Sequence, residues 1–321
     1  MNLENKTALD LRVKHIDEQI ALLTNLKSQC LQKLQGLESS SRQKAEQPKQ
    51  VQPDDKAALF LNYFRGRDDV YARLWVNNRT GKRGYSPVCK HEWDRVLCRK
   101  PAIKCSECPN QGFLPLDESA IKRHLTGAQV MAVYPMLKNE SCYFLAMDFD
   151  KEHWMDDIRA IMRTCGEEKI PAAVERSRSG SGGHVWIFFS EEIPAVLARR
   201  LGTSIITKTM AKRYQIDMKS YDRLFPNQDT MPKGGFGNLI ALPFQKDAIA
   251  NGNSLFIDAH GVPYRDQRAF LSSIKKMSYR DVEAFIEEAS RAGQIIAVRQ
   301  SPVEENDKPW MRLPSGKRRF K

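Results

Sequence analysis

The order of apolar patterns along this chain of 321 residues predicts an α+β fold built around one main domain. Two observations carry that expectation. Helix-period and strand-period segments follow one another in mixed order rather than in strict alternation. In addition, two strand-like runs, Ala172–Ser177 and His184–Ser190, are joined by a glycine-rich turn with no helix between them, whereas a parallel sheet needs a crossover there.

Taken in chain order, apolar residues first recur at Leu9, Val13, Ile16, Ile20 and Leu23, then at Cys30, Leu34 and Leu37, with Lys27 at the one polar seam position. Steps of four and three make a heptad seam, so residues 1–38 are expected to form a coiled-coil helix, in a homodimer or docked on the chain's own body. Residues 39–55 are polar, carry two prolines and have too little apolar surface to fold alone, which marks a linker. The main domain runs over 56–300. Helices are expected from about Lys56, at Leu116–Leu125, from His153 to Cys165, from Ile193 to Tyr214 and from Tyr279 to Ala292. Further strands are expected at Val70–Val76, Val130–Tyr134, Tyr143–Asp150 and Leu239–Phe244. Residues 301–321 read as a basic tail or a linker to a further module, with five basic and no acidic residues between Arg312 and Lys321.

Composition narrows the partners. Lys and Arg number 51 against 39 Asp and Glu, a formal charge of +12 that attracts polyanions, nucleic acid foremost. No run of about 18 apolar residues is present and no export signal opens the chain, so a cytoplasmic, non-membrane protein is expected. Four of the seven cysteines, Cys89, Cys98, Cys105 and Cys108, fall close together with His91 and His124 nearby. A C-x2-C knuckle in a reducing compartment points to a structural Zn²⁺ held by four thiolates, the knuckle spanning 89–108; free buried thiols are the plainer alternative.

The sharpest chemical signal is the strand Tyr143–Asp150, which ends in two carboxylates one residue apart. Residues two apart in a strand share a face, so Asp148 and Asp150 project together while Phe149 points the other way. Such a pair suits Mg²⁺ or Mn²⁺ in a two-metal site for phosphoryl or nucleotidyl transfer, although a strand emerging into solvent would also end in acids. The glycine-rich turn carries Arg176, Arg178, Ser179, Ser181 and Gly182 and leads to His184, a set suited to contacting a triphosphate; a plain hairpin is the alternative. A third segment supplies one more carboxylate, Asp222 or its competitor Asp229, and a shaped loop with Lys233 and Asn238.

Asp-Phe-Asp closing a strand, Ser-Gly-Ser-Gly-Gly-His opening another, and an apolar residue before Asp222 resemble the three motifs of the archaeo-eukaryotic primase superfamily. More narrowly, GYSPVCKHEW, the cysteine knuckle, RSRSGSGGHVWIFF and YDRLFPNQDTMPKGGFGNLIALPFQ resemble the primase-polymerase domains of TOTE conflict systems and CRISPR-associated primase-polymerases, over Lys56–Gln245. The resemblance implies an α/β module packed on an RRM-like module with the active site between them. It also implies template-directed nucleotidyl transfer, with Asp148 and Asp150 as the first metal-binding motif, His184 as the nucleotide-binding histidine and Asp222 as the third-motif carboxylate. Some relatives carry Glu where this chain has Asp150. Expected partners are single-stranded DNA or RNA template and primer, nucleoside triphosphates, and a helicase or other conflict-system or CRISPR protein. The competing functions are a D-x-D phosphatase or phosphotransferase and a non-catalytic, zinc-containing nucleic-acid binder.

Overall fold

The computed structural model describes residues 12–29, 32–33, 56–212, 219–231 and 234–293. Cys30, the linker 39–55, Lys233 and the basic tail 301–321 lie outside the described residues. The chain divides into two units, Met1–Asp55 and Lys56–Lys321.

In the first unit, residues 12–29 form a helix, α1, and 32–33 are also helical. Val13, Ile16, Ile20 and Leu23 are all more than half exposed, so nothing among the described residues of this unit covers the apolar stripe.

The second unit holds two antiparallel sheets. The first has strand order β2-β1-β3-β8, from Ala72–Val76 (β1), Arg83–Pro87 (β2), Met131–Val133 (β3) and Ile240–Ala241 (β8). The second has order β7-β4-β6-β5-β9, from Ser141–Asp150 (β4), Ala173–Arg176 (β5), Gly182–Pro194 (β6), Tyr221–Phe225 (β7) and Leu255–Ile257 (β9). Helices α2 (Lys56–Tyr63), α3 (Glu118–Leu125), α4 (Trp154–Glu167), α5 (Ala195–Lys212), α6 (Lys246–Ile249), α7 (Gln267–Ser273) and α8 (Tyr279–Arg291) complete the unit. Mixed helices and antiparallel sheets are what the α+β expectation requires. No helix among the described residues is long and apolar enough to cross a membrane.

Period-two alternation in β4 and β6 places apolar side chains on both faces of the larger sheet. Leu145, Met147, Phe149, Val185, Ile187 and Phe189 pack against α4, α5 and α8 through Ile158, Ile161, Leu201, Ile205, Val282 and Phe285. The steps Val282, Phe285, Ile286, Ala289 form the buried stripe of α8, whose first turn is closed by a capping box between Ser278 and Asp281. On the opposite face, Phe144, Ala146, Trp186 and Phe188 pack with α2, α3 and the smaller sheet through Phe60, Phe64, Ile121, Met131 and Val133. Trp186 and Phe188 stack at 5.9 Å, and Phe64 meets both edge-on. Asp148 and Asp150 continue this second face of β4 at the end where its apolar cover stops.

Several boundaries differ from those expected. The strand expected at Leu239–Phe244 is a ladder of only two residues, because Pro243 has no N–H to donate and Phe244 turns to a φ of 65°. The strand expected from His184 begins at Gly182, and the segment around Asp222, left without a secondary structure by its pattern, is strand β7. The expected helix end at Tyr214 lies outside the described residues.

Candidate active site

The site forms where β7, β4 and β6 lie side by side. Register pairs Asp148 with His184, Phe149 with Gly183 and Asp150 with Gly182 on one side. On the other side Asp148 pairs with Arg223 but Phe149 pairs with Tyr221, so Asp222 is an extra residue in a β-bulge. Regular pairing would set Asp222 opposite Phe149, on the buried face. The bulge instead sends Tyr221 to that face, where its ring meets Phe149 edge-on at 5.8 Å. Asp222 thereby joins the other acids: ligand oxygens of Asp148, Asp150 and Asp222 lie within 4.8 Å of one another. Among the described residues this is the one group of three or more metal-ligating side chains at that spacing.

Two hydrogen bonds hold the bulge from behind. The Asp150 N–H donates to the Ser220 carbonyl at 2.7 Å, and the Ser220 hydroxyl donates to Asp157 on α4 at 2.5 Å, with both side chains buried. On the β6 side, a Cβ at Gly182 would meet Asp150 Oδ1 and the Phe149 carbonyl at 2.5 Å, so only glycine admits the acids this close. Gly182 and Gly183 are therefore ladder residues, and the turn itself is Ser177–Ser181, with Gly180 at a φ of 78°.

Charge is concentrated here and only partly balanced. Although Asp150 is exposed as a residue, its carboxyl group lies against Gly182, and burial together with Asp148 and Asp222 raises its pKa above the usual carboxylate value. Arg223 Nε donates to Asp222 at 2.6 Å. His184 stands between two carboxylates, with Nδ1 at 2.9 Å from Glu175 and Nε2 at 3.4 Å from Asp148. Burial alone would lower the imidazole pKa, but Glu175 and the hydrogen-bonded Asp148 outweigh it and push it up to about 10, so the ring is cationic. Glu175 also accepts from the Trp186 indole N–H at 2.9 Å and is buried.

Of the other residues singled out by sequence, Arg178 sits on the turn, half-buried, and Ser179 and Ser181 lie beside it, the Ser179 hydroxyl 3.1 Å from that of Ser177. Arg176 donates to the carbonyls of Gly252 and Gly261 at 3.2 and 2.7 Å, which ties the turn to the following loops. Asn238 bridges the Asn227 N–H and the Leu224 carbonyl, fixing its loop on β7. Asp229 forms an ion pair with Arg199 and is not among the converging acids.

Sequence reasoning missed Glu175, Ser220, Asp157 and Arg223. Glu175 alone left a signal: it occupies the same strand face as the buried Ala173, a slot where an unpaired carboxylate would be costly.

The four clustered thiols, with His91, line one cavity. They are not drawn together to the spacing of the acids, and His91 Nδ1 lies 2.8 Å from the Asn110 carbonyl. His124 is buried elsewhere, between the Pro243 carbonyl and the Met131 N–H. Cys142 and Cys165 are core residues.

Comparison with curated proteins returns no match. Among solved structures, the chain is similar to the polymerase domain of Mycobacterium tuberculosis Ligase D in complex with DNA, at 12% identity and a TM-score of 0.37, over 74% of this chain and 85% of that one. The model of the TOTE conflict system archaeo-eukaryotic primase domain matches residues 55–285. By that match, which takes in β4, the His184 strand and the bulge at Asp222, the chain belongs to the archaeo-eukaryotic primase domain family of TOTE conflict systems.

Proposed function

We propose that this chain is a template-directed nucleotidyl transferase, a primase, a DNA polymerase or both, that makes or extends primers on single-stranded nucleic acid. The observation that carries the reading is the convergence of Asp148, Asp150 and Asp222 in a domain of the primase family. Three carboxylates at that spacing repel one another, and their hard oxygens suit Mg²⁺ or Mn²⁺. Metal ions bound there would supply Lewis-acid activation of a 3′-hydroxyl and neutralisation of charge at the α-phosphate.

The remaining work falls to the chain itself. His184, held cationic by Glu175, offers a positive Nε2–H beside the acids. With Arg178, and with Lys233 from its loop, it steadies the triphosphate as the bond to the leaving pyrophosphate breaks. Ser179, Ser181 and Gly182 shape the turn against that phosphate chain, and Arg176 and Asn238 act by fixing the loops that surround it.

Around this core, Cys89, Cys98, Cys105 and Cys108 are assigned to a structural Zn²⁺, since the thiols share one cavity. Metal analysis of the purified chain should find one zinc per chain, and replacing Cys105 with Ser should remove it. The exposed stripe of α1 fits a homodimeric coiled coil across 1–38, tethered by 39–55 to the catalytic domain 56–300, with 301–321 as a basic tail or linker. Light scattering should then report a dimer that residues 39–321 alone do not form. A cytoplasmic helicase or another conflict-system or CRISPR protein is the expected companion.

The test is incorporation of labelled nucleotide on single-stranded templates in Mg²⁺ or Mn²⁺, with ribo- and deoxyribonucleotides and with and without primer. Product that follows template sequence supports the reading. Strand binding without incorporation of either nucleotide class would replace it with a non-catalytic binder.

A further inference from the structure

Large aromatic side chains stand in the open on one flank of the main unit, Trp75 at 43% exposure and Trp93 at 68%. Trp75 sits opposite Gly84 across the β1–β2 ladder. A Cβ at Gly84 would meet Cζ2, Cε2 and Nε1 of the indole at 2.9, 3.2 and 3.3 Å, so the ring lies across a residue with no side chain. Glu92 connects this strand face to the second indole. Its carboxylate accepts from Arg73, two residues from Trp75, at 2.5 Å and from Lys100 at 2.9 Å, and the Lys100 ammonium lies 5.8 Å from the centre of the Trp93 ring.

The same stretch concentrates positive charge. Between Arg73 and Lys104 there are nine Lys and Arg against two acids, a difference of +7 within a chain of +12. Of those two acids, Glu92 is spent on Arg73 and Lys100, and Asp94 accepts from the backbone N–H groups of Val96 and Leu97. At the hairpin end Arg79, Lys82 and Arg83 are exposed. Leu74 and Tyr85 alternate to the other face, where burial raises the Tyr85 pKa and the nearby charge of Arg178 partly counters it. The hairpin thus stands between the exposed indole and the turn beside the acids.

We propose that this flank is a second, non-catalytic grip for single-stranded nucleic acid, in which bases stack on Trp75 and Trp93 and Arg79, Lys82 and Arg83 follow the phosphates. Aromatic platforms beside a cationic track bind single strands with little sequence preference, because every base has a π-face and every linkage a charge. The proposal rests on the strand-handling function above, and its test separates the two.

The full chain is titrated with fluorescent oligothymidylate and oligouridylate, and binding is read by anisotropy across a salt series. Trp75→Ala should weaken binding about tenfold, while Trp75→Phe retains most of it. Gly84→Val, which displaces the indole without removing a ring or a charge, should weaken binding in the same direction. Joint replacement of Arg79, Lys82 and Arg83 by Ser should lower the slope of log affinity against log salt by about two. Heparin, a polyanion without bases, should itself bind wild type and Trp75→Ala with equal affinity. If wild type binds and incorporates nucleotide but Trp75→Ala and the triple variant, both folded by circular dichroism, bind as wild type does, the grip is overturned and the nucleotidyl-transfer reading stands. A wild-type chain that neither binds nor incorporates overturns both.

Discussion

Replacing Asp150 with Asn should make the metal-free protein more stable and the metal-loaded protein less so. Asp150 has two carboxylate neighbours with ligand oxygens within 4.8 Å, a separation at which each pair repels by about 0.9 kcal/mol in a water-like dielectric and about 3.5 kcal/mol at an effective dielectric of 20. Asp150 and Asp222 are exposed, so the lower figure applies, about 2 kcal/mol for the two pairs, of which attraction to Arg223 and His184 offsets roughly half. A net gain of about 1 kcal/mol should raise the unfolding temperature in chelator by about 2–4 °C. The gap should depend on pH with a definite sign. Because the folded Asp150 pKa is raised, its penalty is fully present above that raised value and fades as pH falls toward the ordinary carboxylate range, where the protonated acid resembles Asn. With Mn²⁺ at about 100 times its dissociation constant, wild type should gain about 2.7 kcal/mol and the variant much less, so the order of stabilities reverses. Thermal unfolding in chelator and in Mn²⁺, over a pH series, makes the comparison. An Asn variant that is less stable in chelator, or that responds to Mn²⁺ as wild type does, would refute the reasoning.

Three further predictions concern the shell around the acids. Asp222→Asn should lose nucleotide incorporation by at least two orders of magnitude while Asp229→Asn, which breaks only the pair with Arg199, should stay within a few-fold of wild type; steady-state rates decide it. Glu175→Gln should leave His184 with only the longer contact to Asp148 as a charged partner, lower stability by about 1.5–3 kcal/mol in denaturant titrations and raise the KM for nucleotide. Ser220→Ala strips the buried Asp157 of its hydrogen bond and loosens the bulge; calorimetric Mn²⁺ titration should show affinity reduced by about tenfold, beyond a stability loss of about 1–3 kcal/mol.

How far the sequence discloses this site varies by residue. The pairing of Asp148 with Asp150 is legible because strand period alone puts them on one face, and the apolar run before them announces a buried strand. The place of Asp222 is not, since it depends on one extra residue in β7, and a bulge is a property of two strands in register rather than of either alone. In the sequence the glycines before His184 read as a turn suited to contacting a triphosphate, or as a plain hairpin. Two of them turn out to be strand residues needed for close approach to β4, a distinction that only the partner strand reveals. Glu175 shows as a charge in a buried slot, but its partners lie nine and eleven residues away. For α1 the heptad stripe is plain in the sequence and exposed in its own unit, so its partner is a matter for solution experiments.

The most direct test of the central claim is template-directed primer synthesis by wild type and by a chain carrying both Asp148→Ala and Asp150→Ala, matched for folding by circular dichroism. Wild type should yield product in Mg²⁺ or Mn²⁺ and none in chelator, and the double variant should yield none under any condition. Continued synthesis by the folded double variant would contradict the assignment of these carboxylates to catalysis.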